Sequence, residues 1–135
     1  MTSGRVRIVV AGAGAVGSVV GGLLSAHGHD VLLVGRDPNM AAIARDGLRV
    51  TGLFGEHRGR PRVATDLAHA DEPADVVFVS VKSHATEHVA ATLARWRNVP
   101  PLVVSLQNGL GNVETLAAAL GGERVLGAGV IFGAL

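Results

Sequence analysis

The sequence predicts an α/β fold, a doubly wound and mostly parallel sheet with helices on both faces. Three observations predict it. Short β-branched runs alternate with stretches of helical period along the chain. The strand runs are apolar without polar alternation, the pattern of strands covered on both sides. A glycine cluster, GAGAVG at 12–17, stands between the first such run and the first helical stretch. At 135 residues the chain suits one domain with one core.

The elements follow in order. Arg5 to Ala11 (RVRIVVA) is a short β-branched run bounded by Gly4 and Gly12, which predicts a buried strand. From Ala15 to His27 the period becomes helical, with Val16, Val19, Val20, Leu23 and Leu24 spaced at three and four, and Gly28 as the stop. Asp30 to Val34 (DVLLV) is the second strand and completes a βαβ unit of about 30 residues. Pro38 to Asp46 predicts a short helix opening on proline, and Leu48–Phe54 and Arg62–Ala64 predict strand pieces around the loop GEHRGRP. Asp75–Val81 is then a strand, His84–Arg95 a helix, Leu102–Leu106 a strand and Asn112–Leu120 a helix. The run RVLGAGVIF, Arg124 to Phe132, supplies a last strand.

Composition narrows the function. A net charge of +1 provides neither a basic stripe for nucleic acid nor an acidic tail. Cysteine is absent, so there is no disulfide framework and no thiolate chemistry. The opening MTSGRVRIVVAGAG is too short in its apolar part, and too broken by glycine, for a signal peptide or a spanning helix. The chain is expected to be soluble and cytoplasmic. Its 19 glycines and few aromatics indicate tight turns and close backbone approaches rather than a disordered tract.

Between a strand and a helix, GAGAVG acquires a mechanism. Gly12 permits the tight turn, Gly14 removes a side chain that would block a pyrophosphate, and Gly17 lets the helix lie close to the strand. The backbone N–H groups of this loop, Gly12, Ala13, Gly14, Ala15, Val16 and Gly17, then face the phosphates at a helix N-terminus. The bland alternative is a glycine-rich turn that binds nothing. At the end of the second strand, where NAD binders place an acid, the residues are Gly35 and Arg36. Glycine leaves room for a 2′-phosphate and a guanidinium can pair with it, which points to NADP(H). Asp37 is the counterweight, since it could serve the ribose or neutralise Arg36.

Five of the six residues Val76 to Val81 are apolar, and Lys82 follows them. Ligands of open parallel sheets lie beyond the carboxyl ends of strands, where Lys82 and, after LVVSLQ, Asn108 both stand. Together a cation and an amide can orient a carbonyl-bearing anion against a nicotinamide, or hold the cofactor's ribose. Otherwise Lys82 is a strand-ending surface charge and Asn108-Gly109 a turn. The competing motif is H-x-x-E-H at His84, Glu87 and His88, which on one helix would offer two zinc ligands and a base. It lacks a convincing third ligand, because Glu114 and Glu123 begin or follow a helix, so no metal is expected. His27, His29, His57 and His69 belong to loops or helix ends, and Trp96 to packing.

With these residues placed, the chain resembles the N-terminal dinucleotide-binding domain of the ketopantoate reductase family. The resemblance rests on GAGAVG, the VGR ending the second strand, DVVFVSVKSH, QNGLGN and the closing AGVIFGA, in that order. It implies a Rossmann-type fold over residues 1–135 and NADPH-dependent reduction of 2-dehydropantoate to pantoate, on the route to coenzyme A. It also implies that Arg36 holds the 2′-phosphate, that Lys82 and Asn108 contact cofactor and substrate, and that Ala134 lies near the nicotinamide. Members of the family continue into a helical domain that supplies a general-acid lysine, so the chain is expected to bind cofactor but to be incomplete for catalysis. Its expected partners are a small 2-keto acid and either that second domain or a second copy. The alternatives are a non-catalytic NADP(H)-binding module and a reductase of another 2-keto acid.

Overall fold

The structure, a computed structural model, describes residues 4–52, 55–108 and 110–128. Its elements are β1 (Arg7–Ala11), α1 (Ala15–Ala26), β2 (Asp30–Val34), α2 (Asn39–Asp46), β3 (Leu48–Val50), β4 (His57–Gly59), β5 (Arg62–Ala64), β6 (Val76–Val79), α3 (Thr86–Ala94), β7 (Leu102–Ser105), α4 (Asn112–Leu120) and β8 (Val125–Gly127). Short 3-10 turns lie at Leu67–Ala70, Ser83–Ala85 and Gly122–Arg124.

Six strands form one parallel sheet in the order β5-β2-β1-β6-β7-β8, the doubly wound Rossmann-type architecture expected from the sequence. The chain winds outward from β1 through β2 to β5, returns to the centre at β6, and winds outward again through β7 to β8. The order therefore reverses between β1 and β6. That reversal is where such sheets open a crevice for ligands.

Period-two alternation divides the strand residues between two cores. Ile8, Val10, Val31 and Leu33 pack beneath α1, α2 and the β3-β4 pair, with Leu24, Met40, Ile43 and Leu48. Val9, Leu32, Val77, Val79 and Val103 pack beneath α3 and α4, with Val89, Leu93, Trp96 and Leu116. Burying each such Val or Leu contributes about 1.5–3 kcal/mol, so the uninterrupted apolar strands hold both layers at once.

The structure departs from the sequence expectations in three places. Strand β4 falls inside the loop expected at GEHRGRP and pairs antiparallel with β3 as a separate two-stranded sheet. Its placement is set by α1: a Cβ on Gly59 would lie 2.6 Å from the Gly22 carbonyl oxygen and 3.0 Å from the Ala26 nitrogen. Leu53 and Phe54, the end of the expected 48–54 strand, lie outside the described residues. Second, β6 ends at Val79 and His84 belongs to a 3-10 turn, with α3 starting only at Thr86. Third, the last strand is described only as Val125–Gly127, and the rest of its expected span lies largely outside the described residues.

Candidate functional site

Parallel register brings the strand ends level. Ala11 stands beside Val34 and Val79, Val79 beside Ser105, and Ser105 beside Gly127. One more backbone hydrogen bond follows each strand end: Gly35 N–H to the Ala64 carbonyl, Gly12 to Val34, Ser80 to Ala11, Leu106 to Val79 and Ala128 to Ser105, all 2.9–3.0 Å. The residues just beyond the strands are thus carried on a continuous ladder rather than on loose loops. At about 4.8 Å per strand, the span from β2 to β7 is about 15 Å.

The glycine loop occupies the middle of this edge. Gly12 has φ +114°, a conformation that disfavours a side chain, and a Cβ there would lie 2.8 Å from the Val81 nitrogen. A Cβ on Gly17 would collide with the Gly12 carbonyl oxygen and the Ser80 hydroxyl. That hydroxyl donates to the Gly12 carbonyl at 2.8 Å, and the Ser18 hydroxyl donates to the Ala13 carbonyl at 3.0 Å. Ser80, which sequence reasoning passed over as the one polar residue of the VVFVSV run, therefore joins the end of β6 to the glycine loop. Gly14 is different: among the described residues nothing lies within 4 Å of where its Cβ would be, and no side chain caps α1, whose N-terminus begins there. Open space above uncapped N–H groups suits a pyrophosphate.

Arg36 follows β2, exposed and with no side-chain hydrogen bond or ion pair among the described residues. One oxygen of the Asp37 carboxylate accepts the Ala41 N–H at 3.0 Å, which ties the side chain to the start of α2. The reading of Gly35 needs correction. A Cβ there would lie 2.5 Å from the Ala13 Cβ and 3.0 Å from the Met40 Cε, so its missing side chain makes room for protein, seating α2 and the glycine loop.

Lys82 and Asn108 stand exposed beyond β6 and β7, as their strand-end positions predict. The residue after Lys82 is tied to the Asn108 main chain: the Ser83 hydroxyl donates to the Asn108 carbonyl at 3.0 Å, and the Asn112 side-chain amide donates to the same oxygen at 3.1 Å. A recess of about 230 Å³ continues past Asn108 between the ends of β7 and β8 and the start of α4, lined by Ser105, Gln107, Gly111, Asn112 and Gly127. Ala134 lies outside the described residues.

The histidine motif is not assembled. His84 lies in the 3-10 turn and His88 in α3, both exposed, and no group of three or more His, Asp or Glu among the described residues could hold a metal ion. Trp96 packs as expected, 5% exposed, with its indole N–H donating to the Leu67 carbonyl at 3.0 Å. No helix among the described residues is long and apolar enough to cross a membrane.

Comparison with known proteins agrees with this geometry. The chain is 40% identical over 128 residues to the 2-dehydropantoate 2-reductase of Archaeoglobus fulgidus, covering 95% of this chain and 40% of that protein. It is 41% identical over 122 residues to the 2-dehydropantoate 2-reductase of Halobacterium salinarum, covering 89% of this chain and 40% of that one. Among solved structures, the PanE/ApbA family ketopantoate reductase from Ralstonia eutropha JMP134 superposes with a TM-score of 0.77 at 33% identity, over 90% of this chain and 40% of that one. The chain thus spans about 40% of the length of these relatives. Residues 8–135 match the family described as Ketopantoate reductase PanE/ApbA, nearly the whole sequence. The chain belongs to the ketopantoate reductase PanE/ApbA family.

Proposed function

We propose that the chain is the NADPH-binding domain of a 2-dehydropantoate 2-reductase, holding the cofactor across the strand ends for reduction of a small 2-keto acid. One observation carries the reading. Arg36, the glycine loop, Lys82 and Asn108 stand in that order beyond β2, β1, β6 and β7. A 2′-phosphorylated ribose, a pyrophosphate and a nicotinamide succeed one another in the same order in NADPH.

When bound, the cofactor supplies a hydride to the keto carbon. Arg36 pairs two-pronged with the 2′-phosphate. The N–H groups of Ala13 to Gly17 hold the pyrophosphate, with the α1 dipole favouring its charge. Lys82 and Asn108 hold the nicotinamide side and orient the keto acid. The nascent alkoxide needs a proton at its oxygen. In this reading the donor comes from the part of the relatives' length that the chain does not span. The purified 135-residue chain is then expected to bind NADPH and to oxidise it little or not at all with 2-dehydropantoate. Brisk turnover in that assay would refute this division of labour. A reductase of another 2-keto acid would use the same cofactor residues.

Calorimetric titration tests the cofactor reading. NADPH should bind at least about tenfold more tightly than NADH, about 1.4 kcal/mol, and Arg36→Ala should abolish the difference. Failure to bind either nucleotide would defeat it.

A further inference from the structure

Behind Lys82 and Asn108 runs a directed chain of polar side chains that the cofactor contacts do not use. The Ser105 hydroxyl donates to the Gln107 side-chain carbonyl at 3.0 Å. The Gln107 amide then donates to the Val81 carbonyl at 2.9 Å and to the Thr86 hydroxyl at 2.7 Å. Thr86 passes its own proton to the Asn112 side-chain carbonyl at 2.8 Å. That fixes the Asn112 amide nitrogen toward the Ser83 hydroxyl and the Asn108 carbonyl, both at 3.1 Å, and Ser83 donates to Asn108 in turn. Ser105, Thr86 and Asn112 are 2%, 2% and 4% exposed.

Each donor meets one acceptor sense, so the chain admits one arrangement of both amides. Its ends matter most. The Val81 carbonyl belongs to the peptide plane that leads into Lys82, Ser83 immediately follows Lys82, and the third anchored group is the main chain of Asn108. Thr86 is the hinge of the set, the one hydroxyl joining the amide from the β7 loop to the amide that opens α4.

We propose that Gln107, Thr86, Asn112 and Ser83 are positioning residues that hold Lys82 and Asn108 at fixed separation for the nicotinamide half of the cofactor. The proposal rests on the NADPH reading above. Buried polar groups joined this way specify one geometry, and a loosened orienting lysine loses binding without losing its charge.

Thr86→Val keeps the shape and removes the relay, and Thr86→Ser restores the hydroxyl. NADPH and 2′,5′-ADP, which lacks the nicotinamide half, are titrated into the wild-type 135-residue chain, both variants, Lys82→Ala and Lys82→Ala/Thr86→Val, below every variant's melting temperature. Thr86→Val should weaken NADPH about tenfold, Thr86→Ser less than about twofold, and neither should change 2′,5′-ADP binding. On the Lys82→Ala background the valine should cost less than about twofold, because it acts through the lysine. Equal cost on both backgrounds, equal loss of 2′,5′-ADP, or no loss of NADPH overturns the proposal. Should Thr86→Val not fold, Ser83→Ala at an exposed position takes its place in the same cycle, with about threefold expected and the same outcomes deciding. A wild-type chain that binds 2′,5′-ADP and NADPH equally strikes the underlying reading of Lys82 and Asn108, which the Lys82→Ala titration shows independently of Thr86.

Discussion

At the scale of single residues, the proposed roles of Gly14 and Gly17 separate binding from folding. Gly14 has φ −73° and open space about it, so alanine is tolerated by the backbone and meets no neighbour. Gly14→Ala should change stability by less than about 0.5 kcal/mol yet weaken NADPH at least about tenfold, since the methyl would stand where the proposed site takes the pyrophosphate. Gly17→Ala gains about 1 kcal/mol of helix propensity but drives a methyl into a backbone carbonyl that cannot swing aside. The clash should win, with a net loss of about 1–3 kcal/mol in denaturant melts. Equal behaviour of the two variants would remove the distinction. The glycine spacing was legible because each position has one backbone task. The positions of Lys82 and Asn108 beyond the strands were legible because apolar runs stop shortly before them. The roles of Ser80, Thr86 and Asn112 were not, because a serine in a strand and polar residues opening helices read locally as neutral or capping. What they do is decided by partners 21 to 68 residues away.

Among elements, the β3-β4 pair shows where sequence pattern falls short. His57-Arg58-Gly59 has neither alternation nor β-branched residues, so nothing local marks a strand. Its conformation comes from docking on the second half of α1, where Gly22 faces Val50 at 2.8 Å from its would-be Cβ and Gly59 sits against the helix backbone. The helices and strands of the large sheet, by contrast, carry their period in their own residues, and α4 spans the 112–120 range that the sequence predicts. Gly59→Ala should therefore lower stability by about 1–3 kcal/mol through overpacking. Amide exchange should speed up in 48–50 and 57–59 first. Because the contact lies at the end of α1 remote from the glycine loop, NADPH affinity should hold within about twofold. Loss of binding in step with stability would show that the hairpin supports the loop through the whole helix.

For the whole molecule, the critical link is the return from edge strand β5 to central β6, which joins the two halves of the sheet at the end opposite the crevice. Carboxylates fasten it. Asp71 accepts the Arg97 and Asn98 backbone N–H groups at 2.7 and 3.0 Å and the Asn98 side chain at 3.0 Å; Asp75 accepts the Arg7 N–H at 2.8 Å. Arg62 on β5 pairs with Glu72 at 2.6 Å and Asp30 at 3.0 Å, and these partners raise its pKa. Desolvation pushes the Asp71 carboxyl up, but the three donors from Arg97 and Asn98 outweigh it and hold the group below its ordinary value. A lowered folded pKa means that Asp71 contributes stability above the unfolded value, about 3.9, and that this is lost as pH falls through the folded one. Melting temperature should decline below about pH 4, and Asp71→Asn should start lower at pH 7 but fall less steeply in acid. An equally steep acid limb in the variant would place the linkage elsewhere. NADPH, at its proposed site on the other end of the sheet, should raise the melting temperature of both proteins by mass action. It should leave the difference between their acid slopes unchanged, because the carboxylates that loosen the crossover do not touch the groups proposed to hold the cofactor.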